Sequence, residues 1–392
     1  MRILTVIYEF PPVGGGGGKV AEDICRKLAA RGHEVGVLTA HWGDLPRDET
    51  RDGVRIWRIP SLRRLPYKGD MRAMLGYVLA AIPAGLHIIH RWQPDVLHTH
   101  FAVPSGAAAY ALSRLSGLPY LLTAHLGDVP GGVPEKTDRW FRWIFPFTIL
   151  IWRRAARIAA VSDFTRDLAQ RHYGVEVQVI PNGVDMSELN PGKIRVGRPP
   201  HILFAGRLSP QKNVPGLVRI LGRVRDLPWT ATVVGDGPQR AEVVAEIARL
   251  GLEERVAMPG WVSPGEVVEY MRRADILLMP SLSEGMPVVG VQALAMGLAL
   301  VVSDIGGFAG LVAQGVNGHL CPVGEDGAFV KALSRLLTDP QYLLACRRNS
   351  QQKAAAFDWD DIVTAYEEIL QAVCMGASGA DVSSSFPALP LK

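Results

Sequence analysis

The chain has 392 residues, 48 % hydrophobic and 20 % charged, ordinary globular usage that excludes disorder, collagen-like repeats and a coiled coil as the main architecture and leaves room for two domains. The net charge of +4 is uneven: residues 1–195 carry 25 Lys and Arg against 18 Asp and Glu (+7), residues 196–392 carry 17 against 20 (−3). A basic first half points to an anionic partner such as a membrane surface or a phosphorylated acceptor; the chain shows none of the aromatic and basic signatures of the common nucleic-acid modules, so no nucleic-acid partner is expected. Four cysteines, Cys25, Cys321, Cys346 and Cys374, have the spacing of neither a disulfide framework nor a zinc site, as in a protein of a reducing compartment.

The opening MRILTVIYEFPP has one Arg and an apolar run that ends at Glu9 and a Pro pair. It is poor as a signal peptide and too short to span a bilayer, so it reads as a first buried strand of a cytoplasmic protein. The run Gly14–Gly18 then leads into the helical pattern VAEDICRKLAARG (20–32). Backbone amides and the positive end of a helix can face a phosphate there. Neither phosphate-loop register fits: Val13 stands where Walker A needs Gly, and Lys19 occupies the last glycine slot of GxGxxG. The alternative is a flexible loop with no ligand.

Apolar runs alternating with helical patterns continue along the chain: EVGVLTA, then DVLHTH, the small-residue helix SGAAAYALSRLSG, and YLLTAH. The second half repeats the scheme with HILFAGR, VPGLVRILGRVRD, TATVVGDG, AEVVAEIARLG, ADILLMPS, VVGVQALAMG and ALVVSD. Continuous apolar strands separated by helices predict an α/β architecture of two parallel sheets in tandem, each with covered faces. ELNPGKIRVGRPP (188–200), rich in Pro, Gly and charge, reads as the hinge. The expected domains are 1–192 and 193–356, followed by a helix over 357–375 that crosses back to the first domain and a disordered tail over 376–392.

Two loops of the second half carry chemistry. AGRLSPQKN (205–213) puts Arg207 at a strand end and Lys212 five residues on, a fork and a point charge suited to a diphosphate or, equally, a solvated pair. In the stretch 274–304, a buried strand ends at Met279, a Ser/Gly loop carries Glu284, and Pro287 suits the first turn of a helix, leaving free amides near Gly285 and Met286 at the strand's carboxyl end. Open α/β sheets bind ligands at that end. Gln292 lies about 7.5 Å further along that helix, as a second polar arm or as an ordinary helix residue.

The ordered series PPVGGGGG, ARGHEV, TAHLGD, AVSDFTRDL, IPNGVD, GRLSPQKN, GDGP, PGWVS, PSLSEGMP and VNGHLCP resembles the retaining glycosyltransferases of family 4, whose GT-B fold sets two Rossmann-like domains facing each other across a cleft. The resemblance covers residues 1 to about 374. It implies a nucleoside-diphosphate sugar, UDP- or GDP-linked, as substrate in the second domain, an acceptor held by the first, and neither cofactor nor catalytic metal. By motif, Arg207 and Lys212 would hold the diphosphate, the Gly285, Met286 and Pro287 backbone would contact phosphate and sugar, and Glu284, first acid of the family's E-x7-E pattern, would bind a sugar hydroxyl. Val262 would line the base pocket, His125 would face the donor sugar, and Gly15 and Gly16 match a glycine pair near the phosphates. His98 and His100 share the chemistry of His125, so residue type alone does not choose among them.

Two positions depart from the family pattern. Its second acid, which accepts from the ribose hydroxyls, is Gln292 here, and an amide loses the charge assistance. The Glu that commonly follows the second GG is Gly310. The resemblance also implies front-face transfer with retention, the leaving diphosphate taking the acceptor's proton. For the acceptor, segments 58–92 and 136–158 join cations to apolar runs, a combination that suits a lipid-linked or cell-envelope glycan at an anionic membrane surface, with the protein peripheral on the inner face. A buried helix before the AVS strand is the competing reading. Rival functions are a nucleotide-sugar 2-epimerase of the same fold and a non-catalytic nucleotide-sugar or glycan-binding protein.

Overall fold

A computed structural model describes residues 1–63, 69–127, 129–133 and 146–376. The tail 377–392, the stretch 134–145 and Asp128 of TAHLGD therefore lie outside the described residues. The chain forms two compact units, Met1–Pro181 with the segment from Asp360 onward, and Asn182–Trp359.

The first unit is built on an eight-stranded sheet: β1 (Arg2–Val6), β2 (Glu34–Ala40), β3 (Asp48–Arg51), β4 (Val54–Ile59), β5 (Val96–His100), β6 (Tyr120–Ala124), β7 (Arg157–Ala160) and β8 (Gln178–Val179). Its order is β3-β4-β2-β1-β5-β6-β7-β8. Neighbours are parallel except β3 and β4. Strands β5 and β6 are buried along their whole length, as the continuous apolar runs imply. The antiparallel edge hairpin β3–β4 extends the sheet beyond the parallel strands expected. Its turn is Asp52–Gly53, both with left-handed φ (51° and 77°), the geometry of a two-residue hairpin turn.

Helices α1 (Gly16–Ala30), α2 (Met71–Trp92), α3 (Ala107–Ser116), α4 (over 146–154) and α5 (Asp163–Tyr173) connect these strands. Residues of α2 to α5 share one apolar core with alternate residues of the strands, among them Leu4, Val6, Leu38, Leu97 and Leu122. These four helices therefore cover one face of the sheet, where right-handed crossovers running in one direction along it place them. In α2 the inward stripe is Ala73, Tyr77, Ala81, Gly85 and Ile88. Gly85 permits close approach, because a Cβ there would stand 2.7 Å from Leu112 of α3. By length and composition alone α2 could cross a bilayer. Its inward stripe is instead pinned to the sheet, with Tyr77 Oη donating to the Leu38 carbonyl at 3.0 Å.

The last helix, α13 (Trp359–Met375), joins the first unit from Asp360. Arg31 donates to Thr364 at 2.8 Å and pairs with Glu367 at 3.1 Å. His33 Nε2 lies 2.9 Å from the same carboxylate.

The second unit holds six parallel strands: β9 (His201–Ala205), β10 (Thr230–Val234), β11 (Val256–Gly260), β12 (Ile276–Met279), β13 (Ala299–Ser303) and β14 (Gly318–Cys321). They run in the order β11-β10-β9-β12-β13-β14, joined through α6 (Val214–Arg223), α7 (Arg240–Arg249), α8 (Pro264–Arg273), α9 (Val288–Ala295) and α10 (Gly306–Ala309), with α11 (Asp326–Thr338) and α12 (Pro340–Ala354) following. Buried Asp275 ties the strand starts together. It pairs with Arg347 and accepts from the His201 amide at 2.8 Å.

The units divide ahead of the 188–200 stretch that composition marks as the hinge. The difference has a physical source: residues just after Pro181 are already bonded into the second unit. Asn182 Nδ2 donates to the Met286 carbonyl at 2.7 Å, and the Val184 amide donates to Phe357 at 2.8 Å.

Candidate active site

In the second unit the chain adds strands to one side of β9 (β10, β11) and then to the other (β12, β13, β14). The order reverses between β9 and β12, and at such a point the loops leaving the carboxyl ends diverge and leave a crevice. The GRLSPQKN loop leaves β9 and the PSLSEGMP loop leaves β12. They are laced together: the Leu282 amide donates to the Gln211 carbonyl at 2.8 Å, and Gln211 Nε2 to the Ser283 carbonyl at 2.9 Å.

This lacing brings together Lys212 and Glu284, which are 72 positions apart in sequence. Lys212 Nζ meets Glu284 Oε1 at 2.5 Å, with side-chain exposures of 17 % and 7 %. Burial of either charge alone would be costly, and each satisfies the other. Glu284 is held from behind by Gly307, where a Cβ would stand 2.3 Å from the Glu284 carbonyl oxygen. Arg207, exposed at the carboxyl end of β9, shares the loop of Lys212. Gly235 and Gly237 of GDGP press so closely on the Gly206 and Leu208 carbonyls, 1.9 and 2.4 Å for a built Cβ, that no side chain fits.

Gly285 and Met286 lead into α9, and Pro287 is its N-cap (φ −71°, ψ 123°) rather than a residue of the first turn. An extended proline there precedes the turn while its fixed φ is kept. No side chain caps α9, so its first amides present the positive end of the helix. Gln292 sits half-buried on α9, and Val262 is half-buried in the loop after β11, at the same carboxyl edge of the sheet. Gly310, at the end of α10, has nothing within 4 Å of a built Cβ. A longer side chain would fit where the family has Glu.

The first unit's candidates lie at the carboxyl ends of β1, β5 and β6. His98 and His100 of β5 are fully buried, and His125, half-buried, follows β6. The three form one cluster. His100 Nδ1 is 3.0 Å from His125 Nε2, their rings stack at 5.3 Å, the rings of His98 and His100 are 4.3 Å apart, and Phe101 lies 4.6 Å from His125. Burial pushes His125 down to about 4 and His98 to about 3, and holds His100 well below its ordinary range. All three are neutral at pH 7. Of the glycines, Gly15 is the N-cap of α1 and has open space around it. Gly17 and Gly18 serve packing: a Cβ would stand 2.3 Å from Phe101 and 2.7 Å from the Glu9 carbonyl. Among the described residues no three His, Cys, Asp or Glu side chains are placed to share a metal ion.

Sequence reasoning assigned no role to Asn182, Gln211 or Gly307. Asn182 belongs to IPNGVD; its amide nitrogen fixes the Met286 carbonyl while its Oδ1 is buried with no hydrogen-bond partner. A polar residue between Pro and Gly was a signal for a side chain spent on a neighbouring backbone. The partners of Gln211 and Gly307 depend on strand order, which no local pattern carries.

Comparison with known proteins agrees with this construction. The Glycosyltransferase Family 4 model matches residues 14–188 and the Glycosyl transferases group 1 model residues 187–353. A glycogen synthase of Mycobacterium tuberculosis is 28 % identical over 405 aligned positions, 96 % of each chain. Among solved structures, sucrose-phosphate synthase from Thermosynechococcus elongatus superposes with a TM-score of 0.84 at 21 % identity, covering 96 % of this chain and 99 % of that one. HepE of Anabaena, solved in complex with UDP, gives 0.76 at 23 % identity, covering 95 % and 100 %. The two family models meet near residue 188 and leave few residues of either unit unmatched, and the chain therefore belongs to glycosyltransferase family 4, the glycosyl transferases group 1, as an enzyme of GT-B fold.

Proposed function

We propose that this glycosyltransferase moves a hexosyl group from a UDP- or GDP-linked sugar to a lipid-linked or cell-envelope glycan, with retention at the anomeric carbon and without a metal ion. The observation that carries the donor side is the Lys212–Glu284 pair, 2.5 Å apart at the reversal point of the second sheet beside the uncapped end of α9. A diphosphate offers Lys212 a better anion, and a sugar hydroxyl offers Glu284 a donor, so donor binding exchanges one buried pair for two ligand contacts. HepE, of the same fold, is solved with UDP, which supports a nucleoside diphosphate here. The sequence relative and the structural neighbour carry names of products as unlike as glycogen and sucrose phosphate, so the acceptor reading rests on this chain's own surface.

In the reaction the bond from the anomeric carbon to the diphosphate oxygen breaks, the acceptor oxygen bonds that carbon from the same face, and the acceptor's proton passes to the departing phosphate. No protein nucleophile is needed. Catalysis then consists of stabilising charge that grows on the leaving diphosphate, the task of Arg207, Lys212 and the amides at the start of α9. From the first unit the same reading assigns Gly15 and Gly16 to the phosphates and His125 to the donor sugar. His125, held neutral by burial, would serve as a hydrogen-bonding group rather than as a cation.

The test is thermal unfolding against UDP, GDP, ADP and their sugar conjugates, with and without EDTA, followed by turnover of the donor that binds. A ligand at 100 times its Kd adds about 2.7 kcal/mol. One nucleoside diphosphate should raise Tm independently of EDTA, and its sugar conjugate should be consumed only with an acceptor present. Consumption without acceptor would make the protein an epimerase; binding without turnover on any acceptor would make it a binding protein.

A further inference from the structure

The outward surface of α2, α3 and α4 differs from the rest of the molecule in two respects at once. Met71, Leu75 and Leu79 of α2 are 54 %, 60 % and 63 % exposed, Leu115 of α3 63 %, and Phe147 and Leu150 of α4 70 % and 51 %. Among these apolar residues stand exposed Arg72 and Arg91 of α2, Arg114 of α3, and Arg153 and Arg154 of α4. No Asp or Glu occurs in α2, in α3 or among the described residues 146–154 of α4. Asp70, just before α2, spends its carboxylate on the Ala73 amide at 2.8 Å.

The neighbouring helices show that this is not a general habit of the chain. On the other helices of the first unit, α1 carries Glu22 and Asp23, and α5 carries Asp163 and Asp167 paired with Arg166. In the second unit α7 and α8 mix both signs, and α6 and α12, which also lack Asp and Glu, expose no large apolar side chain, so the two features do not coincide there. The three acid-free helices share one face of the first sheet, because their inner residues belong to one core. Their outer residues therefore present one continuous side of that unit. Large apolar side chains kept in water across three elements mark an interaction surface.

We propose that this side is a docking surface for a bilayer rich in anionic phospholipid, with Leu75, Leu79, Leu115 and Phe147 entering the interface and the five arginines meeting the headgroups. The chemistry selects this occupant. A second copy of the chain would bring arginines against arginines across a two-fold axis, a repulsive arrangement. A nucleic acid would use the arginines and leave the leucines without a role. A headgroup layer over acyl chains uses both. Because the inward stripe of α2 is pinned to the sheet through Tyr77, the helix lies on the membrane and does not cross it. The surface deepens the acceptor reading above and rests on it only for its purpose. It fails or stands separately, since vesicle binding and the nucleotide-induced rise in Tm are independent readouts.

The experiment is co-sedimentation of the full chain with vesicles of equal parts phosphatidylcholine and phosphatidylglycerol, and with phosphatidylcholine alone, at low and high salt. Binding is expected to the anionic vesicles only, to weaken at high salt, and to fall about fivefold for each of Arg72→Gln, Arg114→Gln and Arg153→Gln. Leu75→Glu/Leu79→Glu should abolish binding while leaving the nucleotide response intact. If that variant does not fold, Phe147→Ser/Leu150→Ser on a different helix supplies the same readout. Equal binding to neutral vesicles, no binding to either, or a dimer in sedimentation equilibrium that the leucine variant dissociates would each overturn the proposal.

Discussion

The carboxyl edges of the two sheets solve the same burial problem in opposite ways. In the first unit three imidazoles are clustered, His100 tilted against His98 and stacked on His125, and lose their charge to burial. In the second, a lysine and a carboxylate are driven together at 2.5 Å, because a buried charge persists only beside its opposite. One edge therefore offers neutral hydrogen-bonding groups and open glycine backbone, and the other offers separable charges. Rossmann-like topology dictates where the loops emerge but not what they carry.

The largest effect should come from breaking the charged edge. Lys212→Ala is expected to lower turnover by about 10²- to 10³-fold, the size of losing one donor aimed at developing negative charge, with a folded protein by circular dichroism. A rate close to the native one would remove Lys212 from the diphosphate. Next, Gly307→Ala forces a methyl group against the Glu284 carbonyl and should destabilise by about 1–3 kcal/mol while displacing that loop. Gly310→Ala, in open space three residues on, is the silent control. Equal Tm values for the two would show that the contact does not hold Glu284.

The neutral edge has its own signature in acid. A histidine with a folded value of about 3 or 4 and an unfolded value near 6.5 contributes stability that is complete above pH 6.5 and lost as the pH falls, because the unfolded chain binds the proton first. Between pH 7 and pH 5, above the titration of ordinary carboxylates, each such group should cost on the order of 1–2 kcal/mol. His98→Asn should flatten the pH dependence of the urea midpoint; a native midpoint that does not move over this range would mean the imidazoles are not held neutral. The smallest effect sharpens the comparison. Gln292→Glu adds charge assistance to one hydrogen bond and should tighten nucleoside-diphosphate binding about fivefold by calorimetry, at unchanged apo Tm. If affinity and turnover both stay put, the residue does not reach the ribose.

What could be read from the chain follows the range of the signal. Continuous apolar strands such as YLLTAH and ADILLMPS announced buried parallel strands, since burial on both faces writes itself into composition. The edge hairpin β3–β4 was missed because its first strand is polar and alternately exposed; the turn pair Asp52–Gly53 was its only local mark. Glu284 and Lys212 were singled out separately, but their pairing depends on β9 and β12 being neighbours, a fact of topology. The same holds for the histidines: two come from β5 and one from the end of β6, and only the strand order shows that they form one cluster. Pro287 was placed a residue too far into its helix, the usual slippage of a boundary.

Helix α13 gives the order of chain synthesis a consequence. Residues Asn182–Trp359 are topologically an insertion between the bulk of the first unit and the helix that completes it. On the ribosome, at about 5–20 residues per second, the first unit has roughly ten to forty seconds during which the partners of Thr364, Tyr366 and Glu367 already exist and α13 does not. Over that interval the surface that receives α13, including Arg31, His33 and the ring of His98, faces solvent. The inserted unit, contiguous in sequence, has no such wait. A nascent chain stopped before Asp360 should therefore present a folded second unit beside a first unit that still recruits chaperones.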